Sequence, residues 1–142
     1  MATIHRFEVL EIWQLARQQA LDIHDLTMEG TISKDFELKN QISRSAGSVM
    51  DNIAEGFERN SNKEFTQFLI IAKGSNGEVR SQLYRAFDKE HITSAQLTEK
   101  LTRSEEVGNK LMAFIRYLSH SSYKTKPTTS NLQPPTSNSP LS

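Results

Sequence analysis

Cysteine is absent from this 142-residue chain, which excludes disulfides, thiolate zinc sites, cysteine-held iron–sulfur clusters and a cysteine nucleophile together. Proline is missing from the first 126 residues: all four, Pro127, Pro134, Pro135 and Pro140, lie near the C-terminus. No apolar run reaches the roughly 18 residues a membrane-spanning helix needs. The N-terminal Met1-Ala2-Thr3-Ile4-His5-Arg6 has neither the apolar segment nor the small-residue cleavage site of a signal peptide. The expected location is therefore the cytoplasm, with no membrane partner. An excess of either charge is also lacking, since 17 basic residues balance 17 acidic ones. That balance removes the simplest electrostatic argument for nucleic-acid binding, and any such binding must use a local patch.

Chemistry-bearing patterns are equally sparse. No histidine follows a glutamate by three residues, the pattern with which helical bundles hold di-iron sites. His5, His24, His91 and His120 are scattered, and none forms a His-x-x-x-His pair. Gly74-Ser75-Asn76-Gly77 lacks the preceding strand and the Lys-Ser/Thr ending of a phosphate loop. Asp51, Glu55 and Glu58 fall opposite an apolar stripe, on a solvated face. The reading is a non-enzymatic protein with no catalytic residues, metal, cofactor or small-molecule substrate.

What the sequence does contain is four long segments of helical periodicity and no strand-like alternation. The first, Phe7 to about Thr27, carries Leu10, Trp13, Ala16 or Arg17, Ala20 and His24 at helical spacing, flanked by Ile12, Leu15, Ile23 and Leu26. Gly30 breaks it, and Ser33 offers a cap for the next helix. The second aligns Leu38, Ile42, Ala46, Val49, Ile53 and Phe57. Ser61-Asn62-Lys63-Glu64 has capping-box form and opens the third, whose core face is Phe65, Phe68, Leu69, Ala72, Val79, Leu83, Ala86 and Phe87. Thr93-Ser94-Ala95-Gln96 is a second box, opening a fourth helix that buries Leu97, Leu101, Ser104, Gly108, Leu111, Ile115 and Leu118. Short connections favour antiparallel neighbours. The expected fold is an all-α, antiparallel, up-down-up-down four-helix bundle over residues 1–120. A Ser/Thr/Pro-rich tail over 121–142 is too polar to offset the entropy of ordering and is expected to be disordered.

Three features within the helices ask for a reason. Gly74 and Gly77 each cost about 1 kcal/mol relative to alanine inside a helix. With Ile70 and Ser81 they line a smooth face away from the core, which suggests a subunit contact. Ser43, Gly47 and Ala54 form a similar strip on the second helix, and the two together suggest a homo-oligomer. Asn76 falls inside the core stripe, where an unpaired amide costs about 1–3 kcal/mol; Asn52 is the expected partner of this buried polar pair. On the fourth helix Arg103, Lys110 and Tyr117 recur every seven residues, bordered by Lys100 and Phe114. Lys73, Arg80 and Tyr84 form a second line on the third. Cations interleaved with aromatics suit nucleic acids.

Four stretches carry a resemblance: Phe7-Glu8-Val9-Leu10-Glu11-Ile12-Trp13-Gln14, Asn52-Ile53-Ala54-Glu55-Gly56-Phe57-Glu58-Arg59, Ser61-Asn62-Lys63-Glu64-Phe65, and Ala72 through Leu83, Ala-Lys-Gly-Ser-Asn-Gly-Glu-Val-Arg-Ser-Gln-Leu. Together they resemble the bundle family named for 23S rRNA intervening-sequence proteins, over approximately residues 5–120. Members are encoded within insertions in large-subunit ribosomal RNA genes or stand free in bacterial genomes, and have been labelled ribosomal proteins. The family is also similar to accessory proteins of diversity-generating retroelements, pentameric barrels with basic surfaces that bind nucleic acid and reverse transcriptase. The resemblance implies RNA contact by Lys73, Arg80, Arg103 and Lys110, a ring contact at the Gly74 strip and, by that analogy, a pentamer. The expected function is an oligomeric bundle that binds structured RNA or an RNA-associated partner. The alternative is a protein–protein scaffold that binds no nucleic acid.

Overall fold

The computed structural model describes residues 4–120, and the tail expected at 121–142 lies outside them. Four helices account for most of the described chain: α1 (Glu11–Thr27), α2 (Phe36–Glu58), α3 (Asn62–Asp88) and α4 (Ser94–Ser119). Two 3-10 turns, Phe7–Val9 and Thr31–Lys34, precede α1 and α2. They move both starts from the positions expected. Phe7 is not helical with α1, because Leu10 takes an extended conformation between the turn and the helix. The cap of α2 is Asp35, whose carboxylate accepts from the Leu38 N–H at 3.2 Å, whereas the Ser33 hydroxyl donates back to the Gly30 carbonyl at 2.7 Å. Gly30 has φ +64°, a conformation that costs a glycine least.

Thr93 and Gln96 form the reciprocal box at the start of α4. Ser61 forms only half of one: its hydroxyl accepts from the Glu64 N–H, while the Glu64 carboxylate pairs with Arg59 at 3.3 Å.

Contacts between helices establish the topology. Along α2 and α3, Arg85 meets Gln41, Glu78 meets Ser45 and Ser75 meets Ser48, so one helix rises as the other descends. Asn76 meets Ser104 and Phe65 meets Phe114 between α3 and α4. Lys110 meets Glu11 and Arg103 meets Asp22 between α4 and α1. Each pairing is antiparallel, and α4 closes the ring against α1. The bundle is all-α and up-down-up-down.

The core has two parts. One gathers Leu10, Ala16, Val49, Ile53, Phe57, Phe65, Leu111 and Phe114 at the end of the α2–α3 connection. Its rings stack edge to face, Phe57 on Phe65 at 5.9 Å and Phe114 on Tyr117 at 5.8 Å. Here α2 and α3 approach so closely that a methyl group at Gly56 would stand 2.7 Å from Phe68 Cβ. The other part is aliphatic, with Ile23, Leu26, Ile32, Leu38, Ile42, Val79, Leu83 and Ala86. A polar clasp closes that end: Asp35 Oδ2 accepts from Lys89 Nζ and His91 Nε2, each at 2.9 Å, while His91 Nδ1 meets the Thr31 hydroxyl at 2.7 Å. The Lys89 ammonium, then His91 and the Leu38 N–H, hold the Asp35 carboxyl well below the usual carboxylate range.

Polar side chains cross the middle of the bundle, and there the expected pairing needs correction. Asn76 is buried, 3 % exposed, but Asn52 is not its partner. Gln19, itself 2 % exposed, donates its amide to Asn76 Oδ1 at 3.0 Å. The Ser104 hydroxyl donates to the same oxygen at 3.1 Å, and Asn76 Nδ2 donates to the Ser104 carbonyl at 2.9 Å. Asn52 lies half-buried and donates within α2, to the Ser48 carbonyl at 2.8 Å. The stripe of α1 also differs from expectation. Ile12, Ala16, Gln19, Ile23 and Leu26 face inward, whereas His24 is exposed.

Candidate nucleic-acid interface

Five cations on α3 and α4 were the expected contact surface, and the fold divides them. Lys73 and Arg80 lie two turns apart on α3 and stand over the seam with α4. Lys100, Arg103 and Lys110 lie on the opposite flank of α4, toward α1. The reason is helical geometry: each residue turns about 100°, so a seven-residue repeat stays on one flank, and α4 presents that flank to the acids of α1.

On the α1 side every one of these cations has a carboxylate within 4 Å. Lys110 Nζ lies 3.4 Å from Glu11, and Arg103 lies 3.6 Å from Asp22 and 3.9 Å from Glu106. Lys100, mostly covered, lies 3.9 Å from Glu99. The aromatic half of this line is also not free for a nucleobase. Phe114 is fully buried in the core, contrary to the expected border position, and half-buried Tyr117 packs against it.

The α3–α4 side is different. Lys73, Asn76, Gly77 and Arg80 on α3 and Ser104, Glu105, Gly108, Asn109 and Met112 on α4 line a cleft of 240 Å³. Its floor is Asn76, part of the buried polar layer. Gly108 lets α4 lie against it, since a methyl group there would sit 3.2 Å from Asn76 Nδ2. Among the described residues Lys73 has no carboxylate partner, while Arg80 pairs with Glu105 at 3.8 Å. Tyr84, one turn beyond Arg80, is 47 % exposed. Lys73, Arg80 and Tyr84 therefore share one accessible flank.

The small-residue strips are also on the surface. Ile70, Gly74, Gly77 and Ser81 are exposed in a line along α3. Methyl groups at Gly74 and Gly77 would meet nothing within 4 Å, so packing within the chain does not require glycine at either position. Gly47 is equally open, and Ser43 is exposed while Ala54 is half-buried. Among the described residues no cluster of three histidines or acids is placed to hold a metal, and no helix is long and apolar enough to cross a membrane.

Residues 8–113, including the α1 start, the α2–α3 connection and most of α4, match the family described as 23S rRNA-intervening sequence protein. The chain belongs to that family. A solved structure with the same bundle, a protein of unknown function from the S23 ribosomal protein family of Bacteroides thetaiotaomicron, superposes with a TM-score of 0.69 at 25 % identity. The match covers 74 % of this chain and 95 % of that one. No curated protein matches. The resemblance read from the motifs is thus borne out at the level of family and fold. Sequence reasoning missed Gln19, although Ile12, Ala16, Gln19, Ile23 and Leu26 follow a four-three spacing that would have revealed it.

Proposed function

We propose that this member of the intervening-sequence family is a non-enzymatic, self-associating bundle that binds structured RNA, or a partner bound to RNA, through the flank shared by α3 and α4. The observation that carries this reading is the position of Lys73, which has no carboxylate partner among the described residues, beside Arg80 at the mouth of a polar cleft. Such cations displace the counterions condensed on a nucleic-acid backbone, and binding through them weakens steeply with salt. Tyr84 offers an exposed ring beside them. The overall neutrality of the chain limits nonspecific affinity, so RNA shape rather than bulk charge is the expected determinant.

Self-association rests on the open glycines of α3. Each costs helix stability without an intrachain clash to account for it, which is understandable if a helix of a second copy lies along Ile70, Gly74, Gly77 and Ser81. The strip at Ser43, Gly47 and Ala54 is the second surface of a closed ring, with a pentamer as the assembly suggested by resemblance. Light scattering on the purified protein, with and without nuclease, tests both parts. The expected result is an oligomer carrying nuclease-sensitive material absorbing at 260 nm; a clean monomer that retains no RNA contradicts both. A second reading, a protein scaffold, is favoured by the ion pairs of Lys110 and Arg103 with α1. It predicts an oligomer with no affinity for RNA.

A further inference from the structure

We propose that the outer groove between α2 and α3 is a binding site for a phosphorylated sugar, separate from the α3–α4 flank and independent of the reading given for it. The groove encloses 540 Å³, within the range of small-ligand sites, and every residue lining it is polar or charged. Arg44 on α2 and Arg85 on α3 stand on its two walls. Among the described residues Arg44 has no hydrogen bond or ion pair, and Arg85 is engaged only by the neutral Gln41 amide oxygen, at 2.7 Å. Two guanidinium groups without carboxylate partners, facing one groove, fit a phosphate oxyanion.

The remaining groups specify what the phosphate is attached to. Gln82 Oε1 lies buried beneath the groove and accepts no hydrogen bond among the described residues. Glu78 is held only by a 3.4 Å contact from the Ser45 hydroxyl, leaving carboxylate lone pairs for further donors. A carboxylate beside an anion site suits the hydroxyl groups of a sugar, as acidic residues suit ribose in dinucleotide sites. No aromatic side chain lines the groove, so it offers no platform on which a base could stack. Recognition falls on the sugar and phosphate, which a free sugar phosphate and the 5′-phosphorylated end of an RNA share.

Nuclear magnetic resonance titration of the full chain separates these sources. The probes are ribose 5-phosphate, inorganic phosphate and a short 5′-phosphorylated oligoribonucleotide. Ribose 5-phosphate is expected to shift the amide signals around Arg44, Ser48, Gln82 and Arg85, and Arg44→Ala/Arg85→Ala to weaken this by at least about tenfold. Glu78→Gln is expected to weaken ribose 5-phosphate and leave inorganic phosphate unchanged. All three substitutions are at solvent-facing positions, and unaltered thermal unfolding will show that the fold persists. Shifts with the oligoribonucleotide alone assign the site to RNA ends, and shifts with both assign it to sugar phosphates in general. The proposal is overturned if neither moves these signals, or if inorganic phosphate binds as well as ribose 5-phosphate and Glu78→Gln changes nothing. Lys73→Glu/Arg80→Glu should retain the ribose 5-phosphate shifts, so failure of the α3–α4 reading and failure of this one are distinguishable.

Discussion

The two flanks of α4 have cations in similar number but in different company. Toward α1, Arg103 and Lys110 meet Asp22 and Glu11, and their charge is spent on holding the seam. Toward α3, Lys73 stands beside glycine, asparagine and serine with no carboxylate partner among the described residues, and Arg80 pairs with Glu105 alone. A seven-residue repeat of cations marks a flank of a helix; the neighbouring helix decides whether that flank is a binding surface or a seam. Beneath the open flank lies the buried Gln19–Asn76–Ser104 layer, which fixes the depth and polarity of the cleft.

Removing that layer is expected to have the largest effect. Asn76→Leu removes the acceptor of the buried Gln19 amide and of the Ser104 hydroxyl, each unsatisfied group costing about 1–3 kcal/mol. Thermal or denaturant unfolding should show a loss of about 3 kcal/mol, with the α3–α4 cleft the first region to lose hydrogen-exchange protection. An unchanged midpoint would mean that the layer is dispensable.

Next in size, Gly74→Gln/Gly77→Gln should separate helix propensity from assembly. In an isolated bundle each change adds about 0.5 kcal/mol of helix stability, because none of the described residues occupies the space. On a strip used by a second copy, the same change should lower the mass seen by light scattering. A smaller and local effect is expected at the clasp of the aliphatic end. Asp35 is held below its ordinary value by Lys89, His91 and the Leu38 N–H, so its contribution is complete above the unfolded aspartate value of about 3.9 and is lost as pH falls further. Urea unfolding of the protein should weaken over that acid window, and Asp35→Asn should flatten the dependence there.

The smallest effect is expected on the α1 side. Arg103→Gln/Lys110→Gln removes partly exposed ion pairs worth together at most about 1 kcal/mol. RNA affinity should stay within about twofold, since these side chains contribute little to the counterion-release term.

Much of the fold was legible because apolar residues recur at the helical period and polar caps mark the breaks. The box at Thr93–Gln96 and the burial of Asn76 followed from local spacing alone. The misreadings arose where neighbouring elements decide. Asp35 displaced Ser33 as a cap because a 3-10 turn consumes Thr31–Lys34. Phe114 looked like the border of a cation line, but its place in the series Ser104, Val107, Leu111, Phe114, Leu118 sets it in the core. Asn76 needed a partner, and the nearest polar residue in the sequence pattern was Asn52. Across the bundle Gln19 and Ser104 were closer, which only the packing of α1 and α4 against α3 reveals. The division of the cations had the same cause, since no property of α4 alone states which acids of α1 it will meet.

The most direct test of the account is the salt dependence of binding to one structured RNA, measured for the wild type, Lys73→Glu/Arg80→Glu and Arg103→Glu/Lys110→Glu in parallel. The account predicts that the α3 variant loses at least about tenfold in affinity and that its log–log salt slope falls by between about 1 and 2, while the α4 variant keeps the wild-type slope. Equal losses in the two variants, or a loss confined to Arg103→Glu/Lys110→Glu, would contradict the assignment of the open flank as the binding surface.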